Sequence, residues 1–273
     1  MWWLCLALAV YDAPTNPGTM GVNALPAWAA DGPWTHDHTR FSLGTRYSEG
    51  RAGDRAVTPT FRLEMPFFGI VTATFDGTPF ESWWAPAAAR VRLGGTTAPE
   101  GFSKGDIRFG ARFLLYNGED RLPSVAFRFA TKTTTGKDRS QRRFTDAPGY
   151  LLDVLLGQRL TLSDSWRVEL ALALGFFAWQ QSFGQNDAVH VAALSTWRFA
   201  QDLELRLGLR SYFGWQRNDK PFDLDLGATW FFCEWFGVSL DGSVGASDAP
   251  VFSIGAGITF RIPFLLPVKP GTP

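Results

Sequence analysis

The chain of 273 residues has 26 Lys and Arg against 26 Asp and Glu, and 45% of its residues are hydrophobic. Because the charges balance, no net field attracts nucleic acid or an anionic surface, and a dedicated nucleic-acid-binding protein is not expected. The 24 Phe, 12 Trp and 5 Tyr exclude a disordered chain, since disordered segments contain few aromatic residues.

The N-terminus has an apolar run, Trp2–Val10, followed by polar and proline-rich residues. Within it, Ala7–Ala9 has the small-x-small form that precedes a cleavage site. No Lys or Arg precedes the run, so residues 1–10 are predicted to be a signal peptide with a truncated start, or else not a signal. Residues 11–38 show no alternation and are predicted to lie outside the regular structure that follows.

From residue 39 onward, apolar residues alternate with polar ones, which is the period of a β-strand. The pattern is clearest between residues 252 and 264, where Phe, Ile and Ala alternate with Ser, Gly, Thr and Arg. The alternation predicts about twelve strands, at roughly 39–48, 56–66, 69–83, 105–116, 123–134, 149–160, 165–179, 188–199, 203–215, 221–232, 235–246 and 251–264.

The predicted connections alternate between short turns and longer loops. An even strand number and this alternation are typical of a bacterial outer-membrane barrel, which has short periplasmic turns and longer extracellular loops. Twelve strands enclose a lumen too wide for side chains to fill, so the apolar face is predicted to contact lipid and the polar face the lumen. The alternative is a soluble two-sheet β-sandwich with a tryptophan core.

The sequence therefore predicts an all-β fold, a closed antiparallel transmembrane β-barrel in the bacterial outer membrane, with outer-membrane lipid as a partner. The barrel is predicted to span residues 39–264, with a C-terminal tail at residues 265–273. Residues 11–38 are predicted to form either a periplasmic extension or a plug in the lumen. The oligomeric state is left open.

Aromatic residues near the predicted strand ends suggest the girdles that such barrels place at the two membrane interfaces. The predicted girdle residues are Tyr47, Trp83, Trp84, Trp166, Trp179, Trp197, Trp215, Trp230 and Trp235.

The polar face of the strands is rich in charged residues. The predicted pore-lining residues are Arg62, Glu64, Arg108, Arg112, Arg128, Lys132, Asp153, Arg167, Glu169, His190, Glu204, Arg206, Arg210, Asp223, Asp225, Asp241 and Arg261. Buried charges must pair or stay hydrated, so most are expected to form an ion-pair ladder between strands. When the further polar-face residues Arg40, Arg46, Arg159 and Arg198 are included, basic residues outnumber acidic ones on this face by about thirteen to seven, which favours anionic or electron-rich solutes.

Three stretches resemble known families. Gly101–Leu115 has a Gly-Asp turn that enters a strand, and Leu122–Gly136 has a strand that ends in a Lys-Thr-Gly turn. Both resemble the outer-membrane family associated with the meta pathway of phenol degradation, which is similar to long-chain fatty acid channels. Asn16–Gly21 resembles the Asn-Pro-x-x-Met-Gly element of those channels. The resemblance implies passive uptake of small hydrophobic or aromatic molecules and implies no catalytic residue.

Two other classes of function remain as alternatives. A plugged barrel would serve as a structural or adhesion element without transport. A lipid hydrolase needs a Ser, His and Asn cluster on the wall, and Val189 and Val191 beside His190 do not supply one, so this alternative is remote and no enzyme is predicted. His36 and His38 flank Asp37, which is a weak signal for a metal. No metal and no cofactor are therefore predicted.

Overall fold

The computed structural model describes residues 20–93, 98–118, 122–145, 147–181, 184–200, 202–215 and 219–263. The predicted signal peptide, the predicted C-terminal tail and residues 11–19 lie outside these described residues. All structural statements below concern the described part of the chain.

The described residues form mainly antiparallel strands of the length that a tilted transmembrane strand needs. The strands are β1 (His38–Glu49), β2 (Arg55–Phe67), β3 (Val71–Gly77), β4 (Phe80–Trp84), β5 (Glu100–Lys104), β6 (Ile107–Tyr116), β7 (Ser124–Lys132), β8 (Gly149–Ser163), β9 (Trp166–Gln181), β10 (Gly184–Phe199), β11 (Leu203–Gly214), β12 (Phe222–Cys233), β13 (Phe236–Ala246) and β14 (Phe252–Pro263). One short helix, α1 (Ala87–Arg92), lies between β4 and β5.

Twelve of these strands close into a barrel. Each barrel strand pairs antiparallel with its neighbour in the sequence, β3 pairs with β6, and β1 pairs with both β2 and β14. Closure leaves no unpaired edge in the wall, which is the condition for a sheet to span a lipid bilayer. The predicted fold class, a closed antiparallel barrel of about twelve strands, is confirmed.

The predicted strand at 69–83 is wrong in one respect, because it is two strands. β3 ends at Gly77, and the chain then leaves the barrel wall through Thr78 and Pro79. β4 pairs with the first residues of β2, Arg55–Val57, and β5 completes a hairpin with β4. Pro79 has no backbone N–H for a ladder, and the alternation continues into the hairpin, so the pattern did not show the break.

The two ends of the barrel differ in the length of their connections. At one end, which we call the short-turn rim, the turns include residues 68–70, 164–165 and 234–235. At the other end, the long-loop rim, the connections include residues 78–106 and 133–148. β1 begins and β14 ends at the short-turn rim, which is the periplasmic rim in barrels of this kind.

The outward face of the wall is apolar. In the middle of β9, Leu172 and Leu174 are 44% and 56% exposed, and Leu226 of β12 is 59% exposed. Such a surface is costly in water and favourable against lipid tails. The predicted assignment of the apolar stripe to the outer face of the barrel agrees with this arrangement.

Most of the predicted girdle residues lie at the rims. Trp166, Trp197, Trp230 and Trp235 are exposed at the short-turn rim, while Trp84 and Trp215 are exposed and Tyr47 is half-buried near the long-loop rim.

Two girdle predictions are wrong. Trp179 is fully buried inside the barrel, where its ring contacts Phe177 and Tyr212. Trp83 is buried under the β4–β5 hairpin, and its indole N–H donates to Ser103 Oγ at 2.9 Å. The outward-facing residues of β9, such as Leu172 and Leu174, have even numbers. Trp179 has an odd number, so the alternation of the strand indicates that it points inward.

The lipid contact of the wall predicts a depth-dependent cost for a buried charge. We expect Leu172→Arg, in the middle of β9, to lower the free energy of unfolding by about 2–4 kcal/mol, because it places a cation near the bilayer midplane. Leu162→Arg, next to the turn at 164–165, is the matched control and should cost at most about 1 kcal/mol. Urea unfolding in lipid vesicles measures both, and equal costs would contradict the outward orientation.

The barrel lumen and the segment that crosses it

Residues 20–37, which we call the lumen segment, run through the inside of the barrel. At the long-loop rim, the backbone N–H of Gly21 donates to the carbonyl of Arg142 at 2.7 Å. At the short-turn rim, Thr35 Oγ1 donates to the carbonyl of Gly69 at 2.7 Å. The segment therefore passes from one rim to the other before β1 enters the wall.

At the long-loop rim, a buried group of ion-paired side chains holds the lumen segment. Arg143 is fully buried, and its Nε donates to Glu81 Oε1 at 2.6 Å while Nη1 lies 3.3 Å from Asp54. Asn23 Nδ2 donates to the second oxygen of Glu81 at 2.7 Å. A Cβ at Gly21 would lie 2.5 Å from the guanidinium carbon of Arg143. A side chain at this position would have to displace the guanidinium of Arg143, because the segment passes directly over it.

Burial shifts the pKa of the charged side chains in this group, and their opposite charges act against it. Burial raises the pKa of Asp54, despite the nearby guanidinium of Arg143. Burial by itself lowers the pKa of Arg143, but the carboxylates of Glu81 and Asp54 outweigh it and raise that pKa. The arginine therefore stays charged and depends on both carboxylates.

His190 of β10 holds the middle of the lumen segment. Its Nε2 lies 2.9 Å from the carbonyl oxygen of Trp28, and its Nδ1 lies 3.0 Å from Asp153 Oδ1. A carbonyl and a carboxylate both accept hydrogen bonds. His190 therefore links the carboxylate of Asp153 in the wall to the backbone of the lumen segment. Arg128 also donates to Asp153.

Asp31 is the charged centre of the lumen segment. Its carboxylate accepts hydrogen bonds from Arg62 of β2 at 2.7 Å and Arg128 of β7 at 2.9 Å, and Arg112 of β6 lies 3.9 Å away. These arginines come from three different strands, so one carboxylate ties the segment to a wide arc of the wall. Charge-assisted hydrogen bonds of this kind are stronger than neutral ones.

Tryptophans of the lumen segment pack against the same side of the wall. The indole N–H of Trp34 donates to Ser124 Oγ at 2.9 Å, and the backbone carbonyl of Trp34 accepts from Arg112 at 2.9 Å. Arg159 covers the Trp34 ring with its guanidinium carbon 4.3 Å from the centroid. The segment is therefore attached to the β6–β11 side of the barrel.

The opposite side of the lumen remains open. A cavity of about 400 Å³ lies between the lumen segment and a wall formed by β11–β14, β1 and β2. Many residues of this wall are small, and they leave room where large ones would fill the lumen. They include Gly44, Thr60, Gly208, Gly227, Ser239, Ser243, Ala256, Gly257 and Thr259.

The cavity is lined by a large share of the charged residues that the sequence assigned to the polar face. Those that line it are Arg62, Glu64, Arg108, Arg112, Lys132, Glu169, Glu204, Arg206, Arg210, Asp225 and Asp241. Arg128, Asp153 and His190 are buried and hold the lumen segment. Asp223 is buried beside Arg210, while Arg167 and Arg261 lie near the short-turn rim.

The charge of the cavity differs from the expected basic excess. Nine basic and eight acidic side chains line it. The two signs nearly balance because Asp31, Asp76 and Asp106, which were not among the predicted pore-lining residues, supply three carboxylates. The alternation of β3 could have revealed Asp76. Asp106 lies just before β6, but within the predicted strand at 105–116 it has the same even numbering as Arg108 and Arg112, so the alternation could have revealed it too. Asp31 lies in the lumen segment, where no pattern indicates its position.

The candidate metal ligands near the short-turn rim form a small polar group. The rings of His36 and His38 stack with centroids 5.6 Å apart, and His38 Nδ1 lies 2.6 Å from Asp37 Oδ1. Within the described residues, no group of three or more His, Cys, Asp or Glu side chains is arranged to hold a metal ion.

No family model matches the chain, and no curated protein is similar to it in sequence. Solved structures do share its fold. The COG4313 outer membrane channel from Pseudomonas putida F1 is 12% identical, with a TM-score of 0.61 over 88% of this chain and 98% of that chain. The NanC porin is 8% identical, with a TM-score of 0.55 over 81% of this chain and 100% of that chain.

The likeness shows a shared fold, that of an outer-membrane barrel. Together with the closed wall and its apolar outer face, it places this protein in the bacterial outer membrane. The resemblance to the family of the phenol meta pathway stays a prediction.

Proposed function

We propose that the protein is a passive channel for small solutes. The observation that carries this proposal is the cavity between the lumen segment and the wall of small residues. Ser239 and Ser243 in β13, Gly257 in β14 and Gly44 in β1 leave open space along strands that run from rim to rim. A purely structural barrel has no need of an uncovered inner wall.

The lining of the cavity bears on the class of solute. The resemblance to the phenol-pathway family favours small hydrophobic or aromatic molecules. The rings of Trp28 and Trp34 line the cavity, but Arg108 and Arg159 cover them at 4.8 and 4.3 Å. We therefore propose small organic molecules that carry a polar or charged group, since a fully apolar solute would displace water from these charged guanidinium groups without replacing its hydrogen bonds.

Narrowing the cavity from its open wall tests the path. Ser239 faces the cavity, whereas its neighbour Leu240 is 63% exposed on the outer face. We expect Ser239→Trp to roughly halve the single-channel conductance, because an indole fills a sizeable share of a 400 Å³ cavity.

Leu240→Trp is the matched control, since it adds the same ring to the lipid side of the same strand. Its conductance should equal that of the wild type in planar bilayers. If both variants conduct like the wild type, ions do not pass along this wall and the proposed path is wrong.

A further inference from the structure

Residues of like charge lie directly opposite each other at several places on neighbouring strands. Such cross-strand pairs destabilise a sheet unless a counter-charge is supplied. Four of these pairs lie on the inner face of the barrel: Arg108 with Lys132, Arg112 with Arg128, Arg40 with Arg261, and Arg167 with Arg198.

Two of the four pairs have carboxylates of their own. Arg112 and Arg128 share Asp31 of the lumen segment. In the pair of Arg108 with Lys132, Asp76 binds the arginine, and Asp106 accepts from the lysine at 2.6 Å. The chain itself thus supplies the counter-charge in both places.

The other two pairs lie close to the short-turn rim and are only partly compensated. Arg261 and Arg167 form no ion pair within 4 Å among the described residues, but Arg167 is exposed to solvent at the rim. Of their partners, Arg40 depends on Glu204 at 3.2 Å, while Arg198 shares Glu169 at 3.2 Å with Arg159 and lies 3.7 Å from Glu204.

A further arginine competes for the same carboxylate. Arg206 lies 3.8 Å from Glu204, which is itself buried. The Nε atoms of Arg198, Arg206 and Arg261 are buried and have no hydrogen-bond partner in the described part of the chain. Buried donors without partners are rare in proteins, and each calls for an acceptor.

An aromatic ring holds part of this group together. Arg261 lies over the buried ring of Phe231 with its guanidinium carbon 3.4 Å from the centroid, and Arg40 lies 5.9 Å from it. Cation–π contact fixes the two guanidinium groups side by side without neutralising them. Arg40, Arg198 and Arg206 also line the cavity, so a solute that enters it meets their charges.

We propose that Arg40, Arg198, Arg206 and Arg261, which we call the arginine cluster, bind the carboxylate or phosphate group of a small organic anion. This proposal deepens the proposed function and rests on it. The bound oxyanion supplies at the short-turn rim the counter-charge that Asp31 supplies to Arg112 and Arg128. Guanidinium groups suit this task because their donors match the geometry of an oxyanion.

The first test measures binding without any conduction. A ligand that binds only the folded barrel raises its melting temperature, which the gel shift of the folded band in detergent reports. Inorganic phosphate and benzoate should both raise the melting temperature of the wild type, and neutral benzyl alcohol should not. In the double variant Arg206→Gln, Arg261→Gln, the half-saturating anion concentration should rise at least about tenfold, the loss expected from removing charge-assisted hydrogen bonds.

Two further variants separate binding from general stability. Arg46→Gln removes a cavity arginine whose charge is compensated, because its Nη2 donates to Asp241 at 2.8 Å although its Nε has no partner among the described residues, and should leave the anion effect within about twofold of the wild type. Glu204→Gln removes the carboxylate that competes with the anion and should lower the half-saturating concentration. Equal anion effects in the wild type and the double variant would overturn the site, as would weaker binding in Glu204→Gln.

Block of the potassium chloride current by the same anions distinguishes the two proposals. A conducting wild type that shows neither block nor a melting shift keeps the channel and overturns the anion site. A melting shift in a barrel that does not conduct keeps the anion site and overturns the channel.

Discussion

Replacement of residues 20–34 by a glycine-serine linker of equal length is expected to at least roughly double the single-channel conductance, because the lumen of a twelve-stranded barrel is wide once nothing packs inside it. The linker keeps the chain length but removes Asp31, Trp28 and Trp34, which hold the lumen segment to the wall. Planar-bilayer recordings of wild type and variant measure the difference.

Asp31→Asn serves as the graded control for this replacement. It keeps every residue of the lumen segment but removes the charge that Arg62 and Arg128 bind. We expect a noisier current with a conductance between those of the wild type and the linker variant. A linker variant with unchanged conductance would show that the lumen segment does not restrict the path.

Arg143→Met is expected to have the largest effect on stability. The change leaves Glu81 and Asp54 buried without their cation, and breaking a buried ion pair costs about 3–5 kcal/mol. Urea unfolding of the folded barrel in vesicles measures the loss.

The double variant Arg143→Met, Glu81→Gln tests the cause of that loss. It removes one of the two stranded carboxylates and keeps the side-chain oxygen that Asn23 binds. We expect it to recover part of the stability lost in the single variant. A double variant less stable than the single one would mean that Glu81 contributes through contacts other than the arginine.

The alternation of apolar and polar residues predicted the wall and its two faces. Successive residues of a strand point to opposite faces of the sheet, so odd-numbered and even-numbered residues of one strand lie on different faces. Arg128 and Asp153, for example, were assigned to the polar face, and they form an ion pair on the inside of the barrel. The same rule, applied strictly, would have placed Trp179 inside. The break at Pro79 was missed because the residues after it continue the alternation in a hairpin that lies outside the wall.

The path of the lumen segment could not be predicted from the sequence. Residues 20–37 have no period, and their positions are set by contacts with strands far away in the chain, such as Trp28 with His190 and Asp31 with Arg128. For the same reason the open side of the lumen was not visible. Its location depends on which strands the segment leaves uncovered, and no local pattern encodes that choice.

In the proposed function, solutes pass through the lumen beside the lumen segment. Single-channel recording of the intact, folded protein in planar bilayers tests this path, with heat-dependent gel migration as the check on folding. We expect stepwise currents from the folded form and none after boiling. A correctly folded barrel that inserts and stays electrically silent would contradict it and favour a plugged structural barrel.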